Sequence, residues 1–361
     1  MGKHYDAIVM GTGGIGSAAL YELSRRGKRV LGLDRFPPAH DRGSSHGETR
    51  MIRLSYFEHP SYVPLLRRSY ELWDELDSVL LKRSGVLYVG ADNSESIAGV
   101  RLASRTYDLP IQESPTVAPG GPVVPEGLST VLEPDAGFLP VEQCVKLHIE
   151  RALLNGAEHR HGLSVLRWVE NGDGVLVHTD QGEFRAKKLV ITAGAWASQI
   201  LEQLALPLTV LRKHLHWYEQ GEMDFDYGYF VELDHGHFYG FPPLNGQVKV
   251  AEHSGGEEIS DPLNISREPD PEDSARIEAF VRQCLPGLGA RVRGGVCFYT
   301  MTPDGQFLVD KLPGSDRVAF VAGLSGHGFK FAPVLGEVLA DLVLEGESRF
   351  DLEFLSLARF R

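Results

Sequence analysis

The chain has 361 residues, and its 36 lysines and arginines stand against 49 aspartates and glutamates, a net charge of −13 at pH 7 that excludes nucleic acid bound through its phosphates. Hydrophobic residues make up 42% and charged residues 24%, globular proportions that exclude wholesale disorder and fit two lobes or one large α/β body. The 40 glycines follow no collagen-like period and cluster in short loops, as they do where backbone approaches a ligand closely.

The chain begins with a few polar residues and an apolar run too short to span a bilayer. Neither a signal peptide nor a basic amphipathic helix is read here, so a cytoplasmic protein without a membrane partner is expected. Cys144, Cys284 and Cys297 are too few for a disulfide framework and lack zinc-ligand spacing, which fits a reducing compartment. In that setting Asn264-Ile265-Ser266 is a chance sequon.

The first predicted strand, Tyr5 to Met10, ends directly in Gly11-Thr12-Gly13-Gly14-Ile15-Gly16. A helix with Ala18, Ala19, Leu20 and Leu23 apolar follows and stops at Gly27, and a second strand, Arg29 to Leu33, ends at Asp34. This is a βαβ unit. The first glycine makes its tight turn, the second lets backbone reach a pyrophosphate, and the third allows close helix–strand packing, while the helix N-terminus offers N–H groups to phosphate. Asp34 stands where a carboxylate bonds adenosine ribose hydroxyls. By itself the loop does not separate a nicotinamide from a flavin dinucleotide.

Residues 83–140 and 205–300 carry alternating and aromatic stretches, such as Val86 to Val89 and His237 to Phe241, which read as antiparallel strands. Between them come candidate strands at 174–179 and 182–186 and the run Leu189 to Gly194, returning to the first pattern. Glu257 to Asp273 is the most loop-like stretch, and the acidic pairs Glu257-Glu258 and Glu272-Asp273 read as solvated charge. A buried-type strand, Val318 to Ala322, runs into Gly323-Leu324-Ser325-Gly326-His327-Gly328, then a helix from about Pro333 to Leu344. Two interleaved domains are expected.

Three segments carry a resemblance. Gly43-Ser44-Ser45-His46-Gly47-Glu48-Thr49-Arg50-Met51-Ile52-Arg53, Gly295-Val296-Cys297-Phe298-Tyr299-Thr300 and Ala322 to Phe331 are similar, in order and spacing over essentially the whole chain, to signatures of FAD-dependent amine oxidases of the monomeric sarcosine oxidase and N-methyltryptophan oxidase type, within the D-amino acid oxidase-like superfamily. The chain is somewhat shorter than typical members. The resemblance implies an α/β and α+β fold: a Rossmann-like FAD-binding domain (1–82, 141–204 and 301–361) interleaved with an antiparallel-sheet substrate domain (83–140 and 205–300). It carries FAD contacts onto Gly11, Gly13, Gly14, Ile15 and Gly16, onto Asp34 and Arg35, and onto Gly43, Ser44, Ser45, Thr49 and Arg50, with His46 also serving the cofactor. Further contacts fall on Val165, Ala193, Gly194 and Trp196, then on Gly323, Gly326, His327, Gly328, Phe329 and Lys330. Cys297 occupies the position whose sulfur is joined to the flavin, a reasonable role for a thiolate nucleophile.

The same resemblance places Arg53 and Lys330 as a pair of cations on the substrate carboxylate, a clamp that aims the neighbouring amine. Lys249 matches a lysine over the flavin that favours reaction with oxygen, since a cation stabilises developing superoxide. His253 aligns with a histidine near the flavin, and Tyr239 with a pocket wall. The segment from Tyr239 to Lys249 is one residue shorter than in typical sarcosine oxidases. Tyr299 follows Cys297 by two, on the same strand face.

Other constellations fail: no Walker loop or HExxH occurs. His214 and His216, or His235 and His237, alternate on one face without an evident third ligand or carboxylate partner, so no metal is expected. The expected activity is oxidation of a secondary amine in an N-methyl or cyclic amino acid, sarcosine-like, with O2 as acceptor and peroxide as product, by a monomer. The rivals are a dehydrogenase passing electrons to a quinone or carrier protein, an oxidase of N-methyltryptophan, pipecolate or fructosyl amino acids, a non-catalytic FAD-binding sensor and, distantly, a nicotinamide dehydrogenase.

Overall fold

Alternation in the first strand assigns two cores. β1 (His4–Met10) sends Ala7 and Val9 to one side and Ile8 and Met10 to the other, and all four are buried. Both sides are covered, as a parallel sheet requires. The computed structural model describes residues 4–117 and 120–360; Met1 to Lys3 of the polar start lie outside the described residues. After β1 come α1 (Gly14–Arg25), β2 (Val30–Leu33), β3 (Thr49–Ile52), α2 (Val63–Leu76), β4 (Val86–Gly90), α3 (Glu95–Tyr107) and β5 (Gln112–Glu113). β6 (Ser129–Glu133), β7 (Gly137–Pro140), α4 (Val141–Leu154), β8 (Glu158–Arg160), β9 (Val165–Asn171), β10 (Gly174–Thr179), β11 (Gly182–Ile191) and α5 (Ala197–Ile200) follow. The remainder is β12 (Thr209–Glu219), β13 (Gly228–Leu233), β14 (Gly236–Gly240), β15 (Gln247–Glu252), β16 (Glu257–Glu258), α6 (Pro271–Cys284), β17 (Arg291–Met301), β18 (Leu308–Lys311), β19 (Val318–Ala322) and α7 (Ala332–Leu344).

The first sheet has the order β18-β19-β11-β1-β2-β8, with β10 and β9 added on β11. From β19 to β8 it is parallel, so Met10, Leu33, Ile191 and Ala322 all end at one edge and open a crevice there. α1 and α7 pack over one face. Their contact is close because Gly336 has no side chain: a Cβ there would lie 2.7 Å from the Ala18 carbonyl carbon. α7 is buried along almost its whole length, and its two acids are paired, Glu337 with Arg68 at 2.9 Å and Asp341 with Arg26 at 2.7 Å.

The second sheet runs β16-β12-β15-β14-β13-β4-β6-β5, with β17 along β12. One face packs Tyr229, Phe238, Val248 and Val250 on Ile277 and Phe280 of α6. The opposite face carries Leu215, Trp217, Tyr239, Phe241, Cys297 and Tyr299. A ribbon of β3 and β7 stands between the sheets.

Four expectations change. The antiparallel reading of 83–140 and 205–300 misses α3 and α6, and β4 pairs with β13 in parallel, because an apolar alternation reports the buried face and not the strand direction. β2 starts at Val30 rather than Arg29. β11 continues past 186 to Ile191 because it exchanges partners, leaving the hairpin with β10 to pair with β1. The loop-like stretch to Asp273 already contains the start of α6, capped by Asp270, whose carboxylate accepts from the Asp273 N–H at 2.8 Å.

Gly336→Val should lower stability by about 1–3 kcal/mol, because the added atoms meet backbone that cannot step aside. Urea denaturation should read this as a lower midpoint with an unchanged slope.

Candidate active site

The phosphate loop is shaped by contacts only glycine permits. Gly11 has φ +87, and a Cβ there would lie 2.5 Å from Thr192 O; a Cβ on Gly16 would lie 1.8 Å from Gly11 O. Thr192 Oγ1 donates to Gly11 O at 2.6 Å, tying the end of β11 to the end of β1. No side chain caps α1 at Gly13, and the Gly14 N–H donates to Ser45 Oγ at 3.1 Å. That helix start suits an anion. Asp34 accepts from the Thr12 N–H at 2.6 Å and the Phe36 N–H at 2.9 Å, which fixes its carboxylate at the end of β2.

A long groove follows this edge of the first sheet. Gly11, Gly13, Gly14, Ile15, Asp34, Arg35, Gly43, Ser44, Ser45 and Arg50 line it, with Val165, Ala193, Gly194, Trp196, Gly323, Gly326, Gly328 and Phe329. Gly16, His46, Thr49, Cys297, His327 and Lys330 do not: Gly16 is turned into its own loop, and the others are buried. The groove also takes Tyr299, which the sequence placed on the face of Cys297, with its motif neighbours Phe298 and Thr300, and His40, Leu163 and Gln199, whose sequence signal was no more than closeness to expected residues. Two groove residues, Trp196 and Thr300, carry buried donors, Nε1 and Oγ1, without a protein partner. The glycine cradle, the open helix start and these two groups fit a dinucleotide.

Behind the groove, the inner face of the second sheet brings the expected sheet residues together. Lys249 Nζ donates to Gly47 O at 2.7 Å and Thr49 O at 3.0 Å, and lies 5.2 Å from the Phe241 ring centre. Burial, then the neighbouring Arg50, hold its pKa well below the usual lysine range. Tyr239 stands edge-on to Phe241 and near His253, ring centres 6.4 Å apart. His253 Nδ1 is 3.3 Å from Tyr299 Oη, and burial takes its pKa to about 3, so it is neutral. Cys297 is buried on the same face.

Next to this face is a cluster of buried charge. Arg53 Nη2 donates to Glu58 Oε1 at 2.5 Å, and its guanidinium lies 4.3 Å from the Tyr56 ring centre and 4.1 Å from that of Phe57. Lys330 Nζ donates to His327 O at 2.8 Å and stands 5.2 Å from the Tyr56 ring centre. Burial, and then Arg53, lower the Lys330 pKa to about 7. Burial pushes Glu58 upward, yet Arg53, His327 and Lys330 together hold it at about 2. His327 is fixed between Gly305 O, 3.0 Å from Nε2, and the Tyr56 hydroxyl at Nδ1; with a carbonyl on Nε2, that nitrogen carries the proton and Tyr56 donates to Nδ1. Sequence reasoning missed Glu58 and Tyr56, and the one available signal was an acid five residues beyond Arg53. It also missed Glu133, which accepts from the Leu54 and Ser55 N–H groups at 2.6 and 3.1 Å and so holds the backbone after Arg53.

The histidine pairs are explained differently from the sequence expectation. His216 does have a carboxylate partner, Asp273 at 2.7 Å, while His214 Nε2 lies 3.0 Å from Asp270 without a hydrogen bond; both acids are at the start of α6. Asp273 is buried and thus is no solvated loop charge. No group of three metal-ligating side chains occurs among the described residues.

The family described as FAD dependent oxidoreductase, DAO, matches residues 6–342. N-methyl-L-tryptophan oxidase of Yersinia pestis (strain Pestoides F) is 39% identical over 373 residues, covering 99% of this chain and 100% of that protein. Among solved structures, NikD, an unusual amino acid oxidase essential for nikkomycin biosynthesis, matches with a TM-score of 0.88 at 25% identity, over 98% of this chain and 97% of that one. Glycine oxidase from Geobacillus kaustophilus shares the fold, with a TM-score of 0.85 at 20% identity over 99% of both chains.

Arg53→Met should destabilise the protein by about 3–5 kcal/mol, since it leaves the Glu58 charge buried with less compensation. The double variant with Glu58→Gln should lose clearly less than the two single losses added, in a double-mutant cycle by urea denaturation.

Proposed function

The chain belongs to the FAD dependent oxidoreductase family, and from that premise we propose that it is an oxidase of the secondary amine in an N-methyl amino acid. Bound FAD would supply the two-electron acceptor for oxidation of the amine to an imine, with dioxygen as final acceptor and hydrogen peroxide as product. Water then hydrolyses the imine to an aldehyde and the demethylated amino acid. The observation that carries this reading is the pair of buried cations, Arg53 and Lys330, beside a sheet face walled by Tyr239, His253 and Tyr299.

The Gly11 to Gly16 loop and the start of α1 would hold the pyrophosphate, Asp34 and Arg35 the ribose end, and Ser45, Arg50 and the Gly323 to Phe329 segment the flavin end. Cys297 would form a covalent link to the flavin. Arg53 and Lys330 bind the substrate carboxylate and thereby orient the amine, while the aromatic walls exclude water. His253, being neutral, adds no competing charge. Lys249 offers a cation to the reduced oxygen species. The amine enters the reaction in its neutral form. The protein is read as a cytoplasmic monomer; among the described residues no helix is long and apolar enough to cross a membrane.

Sarcosine, N-methyl-L-tryptophan, pipecolate and a fructosyl amino acid should be compared by peroxide release. At least one N-methyl amino acid should yield close to one peroxide per molecule consumed. A yield near zero with substrate still oxidised would replace the oxidase with a dehydrogenase.

A carboxylate bound at Lys330 favours its ammonium form, so binding takes up a proton once the free enzyme passes the Lys330 pKa of about 7. Affinity for a small carboxylate without an amine, such as propionate, should therefore fall as pH rises above 7, by up to about tenfold per unit. Lys330→Met should bind more weakly and show no such slope, as read by spectral titration of the flavin.

A further inference from the structure

A second buried lysine on the inner face of the second sheet has no part in the scheme above. Lys213 lies on β12 directly opposite Cys297 on β17. Residues opposite each other on a ladder share a face, with Cβ atoms about 5 Å apart. Lys213 is 4% exposed. Its Nζ donates to Ser254 O at 2.6 Å and Gly255 O at 3.0 Å, and stands 5.4 Å from the ring centre of Tyr299, two residues beyond Cys297. Among the described residues no carboxylate forms an ion pair with it; burial lowers its pKa, and Glu252, the first of the negative groups acting against this, is bound by Arg276 at 2.9 Å. A lysine desolvated against neutral carbonyls is unfavourable unless a negative charge develops beside it.

We propose that Lys213 supplies the charge that holds Cys297 as a thiolate while its sulfur bonds to the flavin. The proposal rests on the reading of Cys297 as the flavin link. Only the thiolate is nucleophilic. In the step, the Cys297 S–H proton is lost, a bond forms from sulfur to the flavin's ring methyl carbon, and one C–H bond of that methyl breaks. The two electrons reduce the flavin and pass to dioxygen, so thiol, flavin methyl and O2 give thioether and H2O2.

Other cations near Cys297 are, like Lys213, held by carbonyls, but none of them is paired with Cys297 across the ladder. Lys249 is held by Gly47 O and Thr49 O, and Arg50 by Thr49 O and Ser44 O. Arg267 donates to Asp41 O and lies over Phe298, on the other side of β17. Tyr239 and Tyr299 also face the thiol, and burial raises the pKa of both, so they stay neutral. Lys213 alone stands opposite the sulfur in register.

The test compares wild type, Lys213→Met, Lys213→Gln, Lys213→Arg and Cys297→Ser as purified holoproteins, scoring covalent flavin by intact mass and by colour retained in the acid pellet. Wild type should be linked and Cys297→Ser should not. Lys213→Met should bind FAD with the covalent fraction lower by about tenfold or more near neutral pH. Lys213→Arg should link as wild type does. If Lys213→Met does not fold, Lys213→Gln is scored the same way. A neutral variant linked as fully as wild type near pH 7 would overturn the role of Lys213, as would an arginine variant as deficient as the neutral ones. Wild type releasing all its FAD into acid would instead remove the Cys297 link, and the proposal with it.

Discussion

The two hydrogen bonds from Lys249 Nζ to Gly47 O and Thr49 O cross from the second sheet to the ribbon of β3 and β7, and the geometry of the candidate site depends on that junction. The ribbon carries Arg50 into the groove, and the residues just after it carry Arg53 into the cluster of buried charge. It can approach so closely because Gly47 has φ +87 and no side chain: a Cβ there would lie 2.6 Å from Leu215 Cδ1. Glu48 adds two further ties, accepting from Trp217 Nε1 at 2.9 Å and from Arg293 at 2.6 Å. Glu142 accepts the Gly47 N–H at 2.7 Å from the other side. The lysine assigned to oxygen chemistry is thus also part of what sets the spacing between the nucleotide groove and the sheet.

Buried charge is the second constraint. Each ion removed from water loses several kcal/mol of solvation unless partners replace it. Around Arg53 the replacement is nearly complete: Glu58 takes the guanidinium edge, and Tyr56 and Phe57 take its faces. Lys330 is less well supplied, with one carbonyl and an aromatic face, so its pKa falls and its charge answers to whatever binds beside it. Its own carbonyl is fixed by Ser69 Oγ and Trp73 Nε1 from α2, which keeps the lysine in place while its protonation is free to change. This division, one fixed cation and one responsive cation, suits a site that must hold an anion and release it.

Legibility in the sequence followed the range of the interaction. Gly11, Gly13 and Asp34 could be read because a tight turn, an open helix start and a strand end are local properties of neighbouring residues. The segments around Thr49, Cys297 and Gly326 were legible as long ungapped motifs, though their packing was not. Glu58 beside Arg53 was missed since nothing local says that the chain folds back to pair them. Asp273 was misread as solvated because its partner His216 lies on β12, far away in the chain, and only the docking of α6 buries both. The parallel pairing of β4 and β13 was invisible for the same reason: alternation is identical for either direction.

By itself, then, the sequence determined the glycine-rich loop after β1 and the strand–helix–strand unit around it, because these depend on backbone freedom and side-chain identity over a few positions. Only the tertiary structure decided which charges meet. It set Lys213 opposite Cys297, Glu58 against Arg53, and Lys249 against the ribbon carbonyls. Those pairings arise from sheet register and from the close approach of distant segments, where burial multiplies the strength of an electrostatic contact that a linear sequence does not display.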